Sequence, residues 1–159
     1  MSEQAVRVER LVDYSDRAAA GIGELMPDLS DRLSDDPIPE ERLRAIIESP
    51  DRDQFVAYMH SKIVGAATLN LIVGTVGKKA WLEDFVTSSA EDVRGAGVGH
   101  SIWLELLEWC RERDVENLSF TSNPARNEAH RFYLRQGAKM IDTDVFKVEI
   151  DAAGRKLDP

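Results

Sequence analysis

Three glycines at alternate positions, Gly95, Gly97 and Gly99, follow Arg94 and open a strongly amphipathic stretch. Without a Cβ, their backbone amides can approach a ligand closely. Amides at a helix N-terminus, helped by the helix dipole and a neighbouring guanidinium, suit an anion such as a pyrophosphate. A plain structural turn before the helix is the competing interpretation. The run Arg94-Gly95-Ala96-Gly97-Val98-Gly99 contains no GxxxxGK[ST] sequence and has the wrong spacing for a GxGxxG dinucleotide fingerprint. Two other features could carry chemistry. Glu83 and Asp84 are adjacent carboxylates in an apolar strand-like run, and Tyr133 shares a helical face with Ala129 and Phe132. A core role with a satisfied hydroxyl is the alternative for Tyr133.

The rest of the composition narrows the chemistry. One cysteine, Cys110, cannot form an internal disulfide and lies in an apolar helical stripe, where it reads as core. His60, His100 and His130 lack ligand spacing, so no metal is expected. A formal charge of -9 disfavours a nucleic-acid partner, which needs a clustered basic face. It would instead attract a cationic acceptor such as an amine. No apolar run is long enough to span a membrane. Met1 to Arg10 lacks the marks of a secretory signal, so a cytoplasmic location is expected.

The elements that must hold these residues follow from periodicity. At 159 residues, with 43% hydrophobic and 31% charged residues, the chain fits one domain. Ala5 to Val12 reads as a strand, and Ser15 or Asp16 caps a helix running toward Met26. Pro27 to Pro39 reads as loop. A short helix follows Pro39-Glu40-Glu41 and stops at Ser49-Pro50. Phe55 to Tyr58, Ile63 to Leu69 and Ala80 to Thr87 read as three strands of an antiparallel meander, the first two joined at His60-Ser61-Lys62. Leu71 to Gly77 is apolar and glycine-containing. After Gly99, residues Ile102, Trp103, Leu106, Leu107 and Cys110 recur at helical spacing opposite Glu105, Glu108, Arg111 and Glu112. Leu118 to Thr121 then reads as a strand, Ala125 to Arg135 as a helix ended by Gly137, and Val145 to Ile150 as a last strand.

Two of these segments together resemble the GNAT superfamily of N-acetyltransferases. Arg94 to Gly99 is similar to that family's [RQ]xxGx[GA] acyl-CoA loop. Asn127-Glu128-Ala129-His130-Arg131-Phe132-Tyr133, followed by Gly137, resembles its NxxAxxFYxxxG segment. Trp81-Leu82-Glu83-Asp84-Phe85-Val86 also looks like the family's central strand, so clear resemblance covers about Lys79 to Ile150. It implies a mixed α/β (α+β) fold, GNAT-like, with a mostly antiparallel central sheet flanked by helices on both faces. Residues 1–150 would form a single acyltransferase domain and 151–159 a polar C-terminal tail.

The resemblance further implies acetyl-CoA as acyl donor, with no metal. Main-chain groups of Phe85, Val86 and Thr87 would hold the pantetheine arm. Arg94 and the amides of Gly95, Ala96, Gly97, Val98, Gly99 and His100 would hold the pyrophosphate, with Asn127 also touching the cofactor. The central strand and Leu118 to Thr121 would splay apart to admit the thioester. An alkyl ammonium is mostly protonated at neutral pH, so a base is useful. Glu83 or Asp84 could serve, and Glu83 is slightly favoured. Strand alternation would place the two carboxylates on opposite faces. A backbone amide near Phe85 or Val86 could stabilise an oxyanion, and Tyr133 could donate to the leaving sulfur.

The acceptor would be a primary amine on a small molecule or peptide, its pocket built by Met26 to Pro39 and Leu71 to Lys79. A homodimer is compatible with the family. Two departures from the family pattern stand out: an apparent insertion near Ser88 to Ala90, and Ala138 in place of an aromatic residue. The readings that compete with an enzyme are a noncatalytic acyl-CoA sensor or interaction module, and a purely structural domain.

Overall fold

Alternating and continuous apolar runs between Arg52 and Thr87 fold as the expected meander in a computed structural model that describes residues 5–158. Met1–Gln4 and Pro159, included in the expected domain and tail, lie outside the described residues. The chain divides into two units, Met1–Thr121 and Ser122–Pro159.

In the first unit the strands are β1 (Val6–Arg10), β2 (Arg52–Met59), β3 (Lys62–Val73), β4 (Lys78–Thr87) and β5 (Leu118–Ser119). They form one sheet in the order β1-β2-β3-β4-β5. The first three pairings are antiparallel and only β4–β5 is parallel. The helices of this unit are α1 (Asp16–Leu29), α2 (Glu40–Ile47) and α3 (Val98–Glu112). Ser15 caps α1, its Oγ accepting from the Ala18 amide at 3.0 Å, which relieves one orphan donor of the first turn.

Helices cover both faces of the sheet, and neighbouring residues on β3 show it. Ala66 is buried in a cluster with Ala18, Ile22 and Leu25 of α1 and Leu43 of α2. Gly65, whose neighbour on the strand faces the other way, abuts α3: a Cβ there would lie 2.8 Å from both Val98 Cγ1 and Ile102 Cδ1. Gly65 thus allows the first turn of α3 to seat directly on the strand. On the α1/α2 face, Gln54 and Thr68 are buried polar residues that satisfy each other, Thr68 Oγ1 donating to Gln54 Oε1 at 3.0 Å while Gln54 Nε2 donates to the carbonyls of Phe55 and Ala67.

Several expectations need correction. α1 continues past Met26 to Leu29, taking in Pro27, because Leu29 packs on the core and the Ser30 amide closes the last turn on the Met26 carbonyl. Leu71 to Val73 belong to β3 and Lys78 and Lys79 to β4, so only a tight turn remains between them, with Gly74 and Gly77 hydrogen-bonded to each other. On α3, Leu107 is exposed and Trp109 is fully buried. Trp109 Nε1 donates to Asp53 Oδ2 at 2.7 Å and the Arg113 guanidinium stacks 3.9 Å from a Trp109 ring centroid. β5 has only two of the four residues expected.

The second unit holds α4 (Asn127–Arg135), ended by Gly137 with φ 91°. Val145 to Ile150 form no strand among the described residues. Phe146, Val148 and Ile150 keep their period-2 spacing but are exposed, and only an isolated Ile150–Lys156 bridge forms. An alternating pattern becomes a strand only where a neighbour supplies the ladder.

Candidate functional site

β4 sets the geometry. It pairs with β5 at Ala80 and Trp81 alone and then runs on to Thr87. On its other side, Glu83 faces Thr68 and Val86 faces Ala66, so one extra β4 residue is accommodated. That bulge centres on Asp84, whose φ of 50° is left-handed. The extra residue breaks the simple alternation expected of Glu83 and Asp84, and both are consecutive exposed residues. Trp81 Nε1 donates to Glu83 Oε1 at 2.7 Å, which fixes the Glu83 carboxylate beside the strand.

Partial burial, and after it the charge of Glu83, push the Asp84 carboxyl above its ordinary value. A carboxyl raised in this way favours the folded chain most below the unfolded-state value near 4, and that contribution is lost as pH rises through the raised value. Asp84→Asn, which also tolerates left-handed backbone, is therefore expected to raise the melting temperature at pH 7. The gain should vanish below about pH 4. Scanning calorimetry across pH checks this, and a lowered melting temperature at pH 7 would contradict it.

The segment after β4 is tied down before it reaches the glycines. The Ser88 amide donates to the Val64 carbonyl at 2.8 Å. Ser89 donates through Oγ at 2.6 Å and through its amide at 3.1 Å to the carboxylate of Asp28, near the end of α1. These bonds brace the segment in which the sequence suggested an insertion, residues 88–90. Val93 is buried and its carbonyl accepts from the Ala96 amide.

Gly95 and Gly97 then take φ of 77° and 79°, the second serving as N-cap of α3. Side chains rarely adopt this backbone, yet a Cβ at either position would meet nothing within 4 Å. The glycines are thus required by conformation, and the space in front of them is open. At the start of α3 the Ser101 amide donates to the Gly97 carbonyl, and amides of a helix's first turn in general point out of its N-terminus. With Arg94 exposed beside it, this helix start is a positive end suited to an anion.

In the second unit, Asn127 is the exposed first residue of α4 and Tyr133 is the one buried residue of that helix. Burial pushes the Tyr133 phenol above its ordinary value, with Arg126 opposing. Its ring meets Phe132 edge-on at 5.7 Å. Ser122 Oγ and His130 Nε2 are buried without a hydrogen-bond partner. Such atoms call for a ligand or water, and spacing alone had set His130 aside. No group of three or more His, Cys, Asp or Glu among the described residues could hold a metal ion, and no described helix is long and apolar enough to cross a membrane.

The fourth and fifth strands pair over two residues, and a glycine loop opens the helix between them. Residues 22–138 match the model of the acetyltransferase (GNAT) family, and the chain belongs to that family. No curated protein matches the sequence. Solved structures share the fold. A transcriptional regulator from Bacillus halodurans C-125 has 22% identity and a TM-score of 0.75, over 92% of this chain and 100% of that one. An aminoglycoside acetyltransferase from an uncultured soil metagenomic sample, crystallised with trehalose, has 17% identity and a TM-score of 0.74, over 91% and 97%. Glucosamine-6-phosphate N-acetyltransferase from Arabidopsis thaliana has 18% identity and a TM-score of 0.71, over 90% and 97%.

Proposed function

We propose that this chain moves an acetyl group from acetyl-CoA to a primary amine of a small molecule or peptide by direct attack. The observation that carries this is the pair of left-handed glycines, Gly95 and Gly97, standing in open space ahead of the α3 amides. Those residues fit a diphosphate, which needs several donors and no intruding side chain. Arg94 adds charge, and the backbone of Phe85 to Thr87, at the end of β4, is the hydrogen-bonding edge for the pantetheine arm. By the family resemblance, Asn127 would also touch the cofactor.

In the reaction the amine nitrogen bonds to the thioester carbon and the carbon–sulfur bond breaks. Glu83, steadied by Trp81, is the base that takes the ammonium proton through water; Asp84 is the alternative. Tyr133, whose raised value keeps the phenol protonated at neutral pH, donates a hydrogen bond to the departing thiolate.

The test is release of free CoA thiol from acetyl-CoA over a panel of primary amines. Tyr133→Phe is expected to lower kcat roughly 100-fold, the lower end of general-acid effects, with KM for acetyl-CoA changed less than about 2-fold. Glu83→Gln should lower kcat at pH 7 more than Asp84→Asn does. Tight acetyl-CoA binding with no transfer to any amine would favour a noncatalytic sensor instead.

A further inference from the structure

We propose that a cavity at the start of α1 is a second site, which binds a small molecule bearing a phosphate or carboxylate group. The cavity, about 440 Å³, lies between the first turns of α1 and the β2–β3 hairpin, a size that suits a metabolite. Its charge runs against that of the chain. Acids outnumber bases in the sequence, 29 to 20, giving -9 overall, yet the wall carries the basic side chains Arg7, Arg17 and Lys62, with His60, against one carboxylate, Glu24. A concavity whose wall carries more basic than acidic side chains creates a local field attractive to anions.

Two of the cations are already held in place. Arg17 donates to the Ser61 carbonyl at 2.8 Å, which anchors the guanidinium across the mouth while its other N–H groups remain for a ligand. Arg7 lies 4.6 Å from the centroid of the Tyr58 ring. Glu9 offsets much of the Arg7 charge through an ion pair. Arg17 and Lys62 form no ion pair among the described residues, so their charges are the ones a ligand would neutralise. Anchoring a cation before binding lowers the ordering cost of capture. The capped N-terminus of α1 is also in the wall, through Ser15 and Ala18, and the positive end of that 14-residue helix acts in the same direction.

This site is separate from the glycine loop. Although its wall reaches along α1 to Glu24, the anchored cation Arg17 lies 11 residues (28 − 17) before Asp28, the α1 residue bonded to Ser89, which is ~16 Å along the helix. The inference therefore stands or falls independently of the transferase reading.

Nuclear magnetic resonance of the full chain, titrated separately with sodium citrate and inorganic phosphate, tests it. The amides of Arg17, Ser61 and Lys62 should shift saturably, with Kd near or below about 1 mM for at least one probe. Which probe binds distinguishes the carboxylate from the phosphate class. The double variant R17Q/K62Q, altered at two exposed positions, should bind at least about 10-fold more weakly. Three results would overturn the site: no saturable shift by about 20 mM, shifts confined to Gly95–Gly99, or shifts at the cavity that survive in the double variant. Displacement of citrate from these amides by acetyl-CoA would also overturn it, by giving the cavity to the donor.

Discussion

A Gly97→Glu chain is expected to lose acetyl-CoA affinity by at least about 100-fold, close to 3 kcal/mol, while remaining folded. Two physical terms separate cleanly at this position. Gly97 holds φ 79° and ψ 23°, and forcing an L residue into that region costs about 1–2 kcal/mol. No clash adds to it, since a Cβ would meet nothing within 4 Å. The larger effect is electrostatic: a carboxylate would stand where the α3 amides and Arg94 hold the diphosphate, and like charges at contact distance in a partly shielded site repel by several kcal/mol. Gly97→Ala carries the strain without the charge, so it should match the stability loss and keep much more of the affinity. Isothermal titration calorimetry beside thermal unfolding checks both. Wild-type affinity in Gly97→Glu would mean that the diphosphate goes elsewhere.

The second large effect falls on stability. Trp109→Ala is expected to destabilise the chain by about 4 kcal/mol, within the usual cost of emptying a buried aromatic site and a large share of the 5–15 kcal/mol typical of a domain. Trp109 is fully buried on the α3 face of the sheet. Its indole N–H donates to Asp53, which Arg113 also holds at 3.2 Å. Trp109→Phe keeps most of the apolar contact and removes the donor, so about 1–2 kcal/mol should be lost. Urea unfolding monitored by circular dichroism gives both numbers. A loss below about 1 kcal/mol for Trp109→Ala would contradict the role given to this residue.

Sequence and structure agree best where local pattern and tertiary demand coincide. The meander from Arg52 to Thr87 was legible because each strand's apolar period meets a neighbour already adjacent in sequence. The start of α3 was legible because Gly95 and Gly97 are demanded by backbone conformation, which single residues can signal. Trp109 was missed, and Leu107 wrongly placed inside, because a 3.6-residue period leaves the edges of an apolar stripe undecided until the sheet beneath is known.

The bulge at Asp84 was invisible for a different reason. It is fixed by how β4 registers against β3, and no turn residue marks it. Yet it governs the candidate site, since it sets how Glu83 and Asp84 leave the strand. Val145 to Ile150 shows the converse failure: the pattern of a strand without a partner ladder among the described residues. The cationic cavity escaped the sequence because Arg7, Arg17 and Lys62 are far apart along the chain and meet only through α1 and the β2–β3 hairpin.

The central claim is that backbone amides opening α3 receive the diphosphate of acetyl-CoA. A crystal structure grown with saturating acetyl-CoA tests it most directly. The account predicts diphosphate oxygens within hydrogen-bonding distance, about 2.7–3.2 Å, of amides between Gly95 and His100. A diphosphate bound away from that loop, or a loop left empty at saturation, would contradict it.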